Sequence, residues 1–207
     1  MGQMDNSFGV WSSYIPKCDL DKTVDYVLTG YNAETMVSAE KQVLKFVENT
    51  DEKLRVLDFG CGVCRNAIPV SKQFPHWSIT GYDNPNMLQR ANDLCVAKYN
   101  HPLSDIKNLT LETSWDKLKT LTFDIVYATI VFQHIAEAAL NVYISDLKNM
   151  TKKLVVYGRR FNDDRFLNGS YKNTWQILEN NGLKPSNLEG YSIDGEPEDH
   201  HGYLYEL

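Results

Sequence analysis

Short apolar runs alternate with stretches of helical spacing between Leu54 and Gly158, and this alternation restricts the fold more than any other feature. The runs are Leu54–Phe59, Trp77–Tyr82, Leu109–Glu112, Phe123–Ile130 and Leu154–Gly158. Their length and apolar character fit buried strands. Between them, Asn66–Phe74 and Asn86–Tyr99 read as helices, and Leu140–Leu147 falls in another. Pro69 must lie in the first turn of its helix, where a missing amide hydrogen is harmless, and Pro85 marks the start of the next. Strands alternating with helices predict a parallel sheet covered on both faces. Further on, Thr174–Asn180 is helical and Asn181-Gly182 is a fitting stop. Leu188–Ile193 and Gly202–Leu207 are expected strands, separated by an acidic turn from Asp194 to His201 that leaves His200-His201 in a solvent-facing loop. With no helix between them they predict an antiparallel edge. The expected class is α/β: a three-layer sandwich with a mostly parallel seven-stranded sheet and an antiparallel C-terminal edge strand.

At 207 residues the chain suits a single domain, 1–207. Residues 1–50 read as a helical or lid segment. Phe8, Trp11 and Tyr14 precede Pro16, and helical spacing from Val24 to Val47 is broken at Gly30-Tyr31-Asn32. Residues 51–207 read as the ligand-binding core. The net charge is −6. A nucleic-acid partner is not expected without a basic stripe, although a local patch would leave one open. No apolar stretch approaches the roughly 20 residues that span a bilayer, and Met1–Val10 does not read as a signal peptide. A cytoplasmic location without a membrane partner follows as an expectation, with Cys18, Cys61, Cys64 and Cys95 as reduced thiols. Cys61-x-x-Cys64 has no second pair at ligand spacing, so neither a metal nor a redox role is expected of it.

The chemistry concentrates where the first strand meets a helix, at Asp58-Phe59-Gly60-Cys61-Gly62-Val63-Cys64. Glycines there permit a sharp turn and let a ligand lie against the main chain. Asp58 precedes the first glycine by two. Asp83 ends the next strand about 20 residues on, where a carboxylate can accept hydrogen bonds from ribose hydroxyls. Arg65 stands where a dinucleotide fingerprint has its third glycine, and the Gly-Lys-Ser/Thr of a phosphate loop is missing. A ligand with ribose but no phosphate fits better.

These blocks resemble a known family. Val56-Leu57-Asp58-Phe59-Gly60-Cys61-Gly62 looks like the first motif of class I, Rossmann-like S-adenosylmethionine-dependent methyltransferases. Gly81-Tyr82-Asp83-Asn84-Pro85-Asn86-Met87-Leu88 looks like their second motif, and Phe123-Asp124-Ile125-Val126-Tyr127-Ala128 like their fourth strand. Val131-Phe132-Gln133-His134-Ile135 matches the segment that often follows it. The resemblance implies S-adenosylmethionine as cofactor. It puts Asp58 near the methionine amino group, Gly60, Cys61 and Gly62 beneath the ligand, and Asp83 on the ribose. Asn84 or Met87 would flank the adenine, and Ala128 and Thr129 would line the methionine end. Trp115 either stacks on adenine or belongs to the core. Ser114 or Asp116 either bonds the adenine amine or, for Asp116, caps a helix. A third small residue is common in the family loop; Cys64 occupies that position and is small enough to be tolerated.

At the same end of the sheet, His134 either takes a proton from the acceptor or packs near a helix start. Arg159 and Arg160 either grip an acidic group on the acceptor or stay solvated. Tyr14 either closes over the pocket or packs on the first helix. Ala128-Thr129-Ile130-Val131 contains neither an Asn/Asp-Pro-Pro-Tyr/Phe motif nor a Pro-Cys nucleophile, against amino-methylation of DNA bases or glutamine and against cytosine C5 methylation. The expected activity is in-line methyl transfer to an O, N or S atom of a small-molecule acceptor. The alternatives are a non-catalytic S-adenosylmethionine-binding module, a methyltransferase acting on RNA or protein, and a domain using another nucleoside ligand.

Overall fold

The computed structural model describes residues 51–159, 174–186 and 200–207. In chain order the elements are β1 (Arg55–Phe59), α1 (Ala67–Gln73), β2 (Ser78–Tyr82), α2 (Pro85–Tyr99), β3 (Leu109–Glu112) and α3 (Trp115–Leu118). They continue with β4 (Ile125–Thr129), α4 (Glu137–Met150), β5 (Lys153–Arg159), α5 (Thr174–Asn180) and β6 (His200–Glu206). Single 3-10 turns occupy Leu103–Asp105 and Phe132–His134. The sheet runs β3-β2-β1-β4-β5-β6, parallel from β3 to β5, with β6 antiparallel to β5. Strand order therefore reverses beside β1, between β2 and β4. In open α/β sheets that reversal leaves a crevice outside the carboxyl ends of the strands, where ligands bind.

Alternation along β1 builds two cores. Val56 faces one cluster, with Ile68 of α1, Ala91 of α2 and Ile79 of β2. Leu57 and Phe59 face the other, with Leu140, Tyr143, Ile144 and Leu147 of α4. Both faces of the strand are thus covered, as its apolar run requires. Asn84 caps α2, its Oδ1 accepting from the Met87 N–H at 3.0 Å, with Pro85 in the first turn. Past α5 the Leu183 N–H returns to the Leu178 carbonyl and the Gly182 N–H to Glu179, which closes the helix at the expected Asn181-Gly182 stop.

Two differences from the sequence reading stand out. The fourth strand stops at Thr129, because Ile130 turns to φ +58, and Phe123 forms only an isolated bridge with Thr151. His200 and His201 belong to β6, opposite Arg159 and Gly158, and not to a solvent-facing turn. Extending the ladder there gives backbone groups of β5 their partners. The expected strand at Leu188–Ile193 and the segment 1–50 lie outside the described residues, so the described sheet has six strands. On the free side of β6, Pro185 bridges Tyr205 and the Ser186 N–H donates to the Leu204 carbonyl at 2.8 Å.

Candidate active site

β1 delivers the chain to a loop tied to the end of β2. The N–H groups of Gly60 and Cys61 both donate to the Tyr82 carbonyl, at 2.8 and 3.0 Å, and the Cys64 N–H closes a turn onto the Cys61 carbonyl. Gly60, Gly62 and Cys64 all take left-handed backbone, at φ +72, +57 and +61. A Cβ on Gly60 would stand 2.4 Å from Cγ1 of Val131. The space a Gly60 side chain would take is therefore filled by Val131. At Gly62 a Cβ would meet the Met87 Cε at 3.4 Å, so Met87 lies against the loop. Cys64 fits by size, but as a non-glycine in this region it carries about 1–2 kcal/mol of backbone cost. Its Sγ lies 3.9 Å from that of Cys61, and both are buried. Among the described residues no group of three His, Cys, Asp or Glu could hold a metal ion.

Two carboxylates flank this loop. Asp83 accepts from the Gly62 N–H at 2.7 Å through Oδ2, and from the N–H and Nδ2 of Asn84 at 2.7 and 3.1 Å through Oδ1. Asn84 thus orients Asp83 while capping α2. Burial pushes the Asp83 carboxyl up to about 6, against the pull of the Asn84 and Gly62 N–H groups. Asp58 is 1% exposed, and its Oδ2 has no hydrogen-bond partner. Beside it in register on β4 is Tyr127, whose hydroxyl is buried next to this carboxyl. Burial pushes Asp58 up to about 7, with Asp83 adding to the rise; the Tyr127 hydroxyl, the Arg65 guanidinium and the Ala67 N–H pull the other way.

The remaining expected residues divide. Thr129 is half-buried at the end of β4, whereas the Ala128 methyl points into the α4-side core. Trp115 does not present a free ring: it is 4% exposed, packs edge-on against Phe59 and Tyr143, and donates from Nε1 to Asp146 at 2.6 Å. Its large apolar surface and single donor are both satisfied inside. Ser114, not Asp116, caps α3, its hydroxyl accepting from the Lys117 N–H; Asp116 is exposed and pairs with Lys119. His134 closes the 3-10 turn after β4, and Arg159 ends β5 opposite His200. The side chains of His134 and Arg159, and the whole of Tyr14 and Arg160, lie outside the described residues.

Residues 57–153 match the family model described as a methyltransferase domain. The strand order agrees with the class I, Rossmann-like arrangement that the sequence motifs resemble. The fold of this chain is similar to that of a SAM-dependent methyltransferase from Aquifex aeolicus, with TM-score 0.65 and 19% identity over 91% of this chain and 98% of that one. It is also similar to magnesium protoporphyrin IX methyltransferase from Synechocystis with bound SAH, with TM-score 0.62 and 16% identity over 97% and 98% of the two chains. An O-methyltransferase family 2 protein from Planctomyces limnophilus in complex with apigenin gives TM-score 0.61 and 12% identity, over 92% of this chain and 62% of that one. Among curated proteins, none matches the chain.

The residues present fit the cofactor. A buried carboxylate oxygen without a hydrogen bond is unfavourable unless the group takes up a proton or a cation reaches it, and the methionine ammonium is such a cation. The sequence proposed Asp58, Asp83 and the glycines as site residues, and the structure brings them together at one loop; the sequence did not point to Tyr127 or Val131. Both follow from strand register and from the path after β4, which no local pattern encodes.

Proposed function

We propose that this chain is a methyltransferase that transfers the methyl group of S-adenosylmethionine to an O, N or S atom of a small-molecule acceptor, in a single domain with residues 1–50 as its lid segment. The observation that carries the cofactor half is the buried Asp58 carboxylate, its Oδ2 left unbonded, beside a glycine loop tied to Asp83. In this reading Asp58 pairs with the methionine ammonium, Asp83 accepts from the ribose hydroxyls, Met87 flanks the adenine and Thr129 lines the methionine end. Bound S-adenosylmethionine supplies a methyl on a sulfonium centre, an electrophile that needs alignment more than activation. His134, placed by the turn after β4, takes the proton that the acceptor releases. Arg159 and Arg160 hold an acidic group of the acceptor, and Tyr14 closes over it.

The small-molecule acceptor is supported by the net charge of −6 and by neighbours of this fold that act on small molecules, a mitomycin 7-O-methyltransferase among them. The test supplies methyl-labelled S-adenosylmethionine with separate panels of phenols, amines, thiols, RNA and protein, and reads label transfer with S-adenosylhomocysteine formation. Turnover confined to small molecules supports the proposal. Turnover on RNA or protein overturns the acceptor half, and tight binding with no turnover on any panel favours a non-catalytic binding module.

A further inference from the structure

The segment after β4 is pinned between two glycines. Ile130 adopts φ +58, a conformation that disfavours β-branched residues and persists only where neighbours over-determine it. Its N–H donates to the Tyr157 carbonyl of β5 at 2.6 Å. The next side chain, Val131, is 8% exposed and lies against Gly60, with Cγ1 and Cγ2 at 2.4 and 2.7 Å from the point a Cβ would occupy. Two residues on, Oε1 of Gln133 stands 3.1 Å from the corresponding point on Gly158 of β5. The segment thus crosses from the cofactor loop to the end of β5, touching each where no side chain intervenes.

We propose that Ile130–Gln133 is a positioning strap, in which the left-handed Ile130 aims Val131 onto Gly60 and so fixes where the cofactor loop sits relative to β5. Val131 is a positioning residue that acts through Gly60 and touches no reacting atom. The loop is held on its other side by the Tyr82 carbonyl, so Val131 and Tyr82 bracket it. In-line transfer makes such bracketing matter, since a misplacement of about 1 Å can cost about a hundredfold in rate. A mere core filler at position 131 would affect stability without being coupled to Gly60 in ligand binding.

The inference rests on the S-adenosylmethionine reading above, and a double-mutant cycle separates the two. Calorimetric titration with S-adenosylmethionine is carried out on wild type, Val131→Ala, Gly60→Ala and the double variant, with thermal unfolding of each. Val131→Ala is expected to bind about fivefold more weakly, and the double variant about tenfold more tightly than Gly60→Ala alone, because the clashing methyls are gone. A double variant that binds no better than Gly60→Ala, or Val131→Ala with unchanged affinity, overturns the strap. Failure of wild type to bind overturns the cofactor reading beneath it. Should Gly60→Ala not fold, Ile130→Gly serves instead. It removes the backbone cost and frees the strap, so thermal stability should hold within about 2 °C while affinity falls about threefold; unchanged affinity overturns the proposal.

Discussion

At the end of β1 the Asp58 carboxyl has Tyr127 beside it and Asp83 nearby, and burial holds it up to about 7. The folded protein therefore keeps that proton more tightly than the unfolded chain, whose carboxyl stays near 3.8. The resulting stabilisation is full below about pH 4 and is lost as pH rises to about 7; Asp83, raised to about 6, acts in the same direction. Ligand-free protein should thus lose stability across this window. Asp58→Asn should flatten the loss by on the order of a few kcal/mol, measured by denaturant unfolding from pH 4 to 8. An unchanged pH profile would remove the buried, unpaired charge from the account. His134 supports a kinetic prediction: His134→Ala should slow turnover about a hundredfold or more at unchanged S-adenosylmethionine affinity, and full turnover would retire the general base. That Asp58, Gly60, Gly62 and Asp83 meet at one loop was legible in the sequence, from the glycine spacing and from acidic residues at the ends of two strands. Val131 was not, since nothing local says that an ordinary valine fills the missing side chain of Gly60.

Among elements, α3 shows where sequence reasoning divides. Its start after β3 was readable, and its position left Trp115 free to be either a stacking surface or core. The Tyr143 ring and the Asp146 carboxylate, both on α4, decide for core, and helix–helix contacts of that kind leave no trace in local spacing. Trp115→Phe should lower stability by about 2 kcal/mol through loss of a charge-assisted hydrogen bond, leaving S-adenosylmethionine affinity within about twofold. A large loss of affinity at full stability would restore the stacking role. Strand interiors were read well because apolar runs mark them. The start of β6 was misread because His200 and His201 are polar, and pairing with Arg159 and Gly158 outweighs that polarity.

For the whole molecule, the strand order β3-β2-β1-β4-β5-β6 puts the loop after β1 and the turn after β4 at one crevice. Alternation of strands and helices predicted a parallel sheet, and the motifs in sequence order predicted which strand ends face the ligand. A ligand that needs this crevice binds the folded state only. At a hundred times its dissociation constant, S-adenosylmethionine should therefore stabilise the protein by about 2.7 kcal/mol. A chain of this length should then melt roughly 5–10 °C higher. The central claim is that Asp83 and the Gly60–Gly62 loop hold the adenosyl ligand. Calorimetric titration of wild type and Asp83→Ala with S-adenosylmethionine tests it most directly. The account predicts one site in wild type and binding more than about tenfold weaker in the variant, a loss of about 1.4 kcal/mol; equal affinity in the two proteins would contradict it.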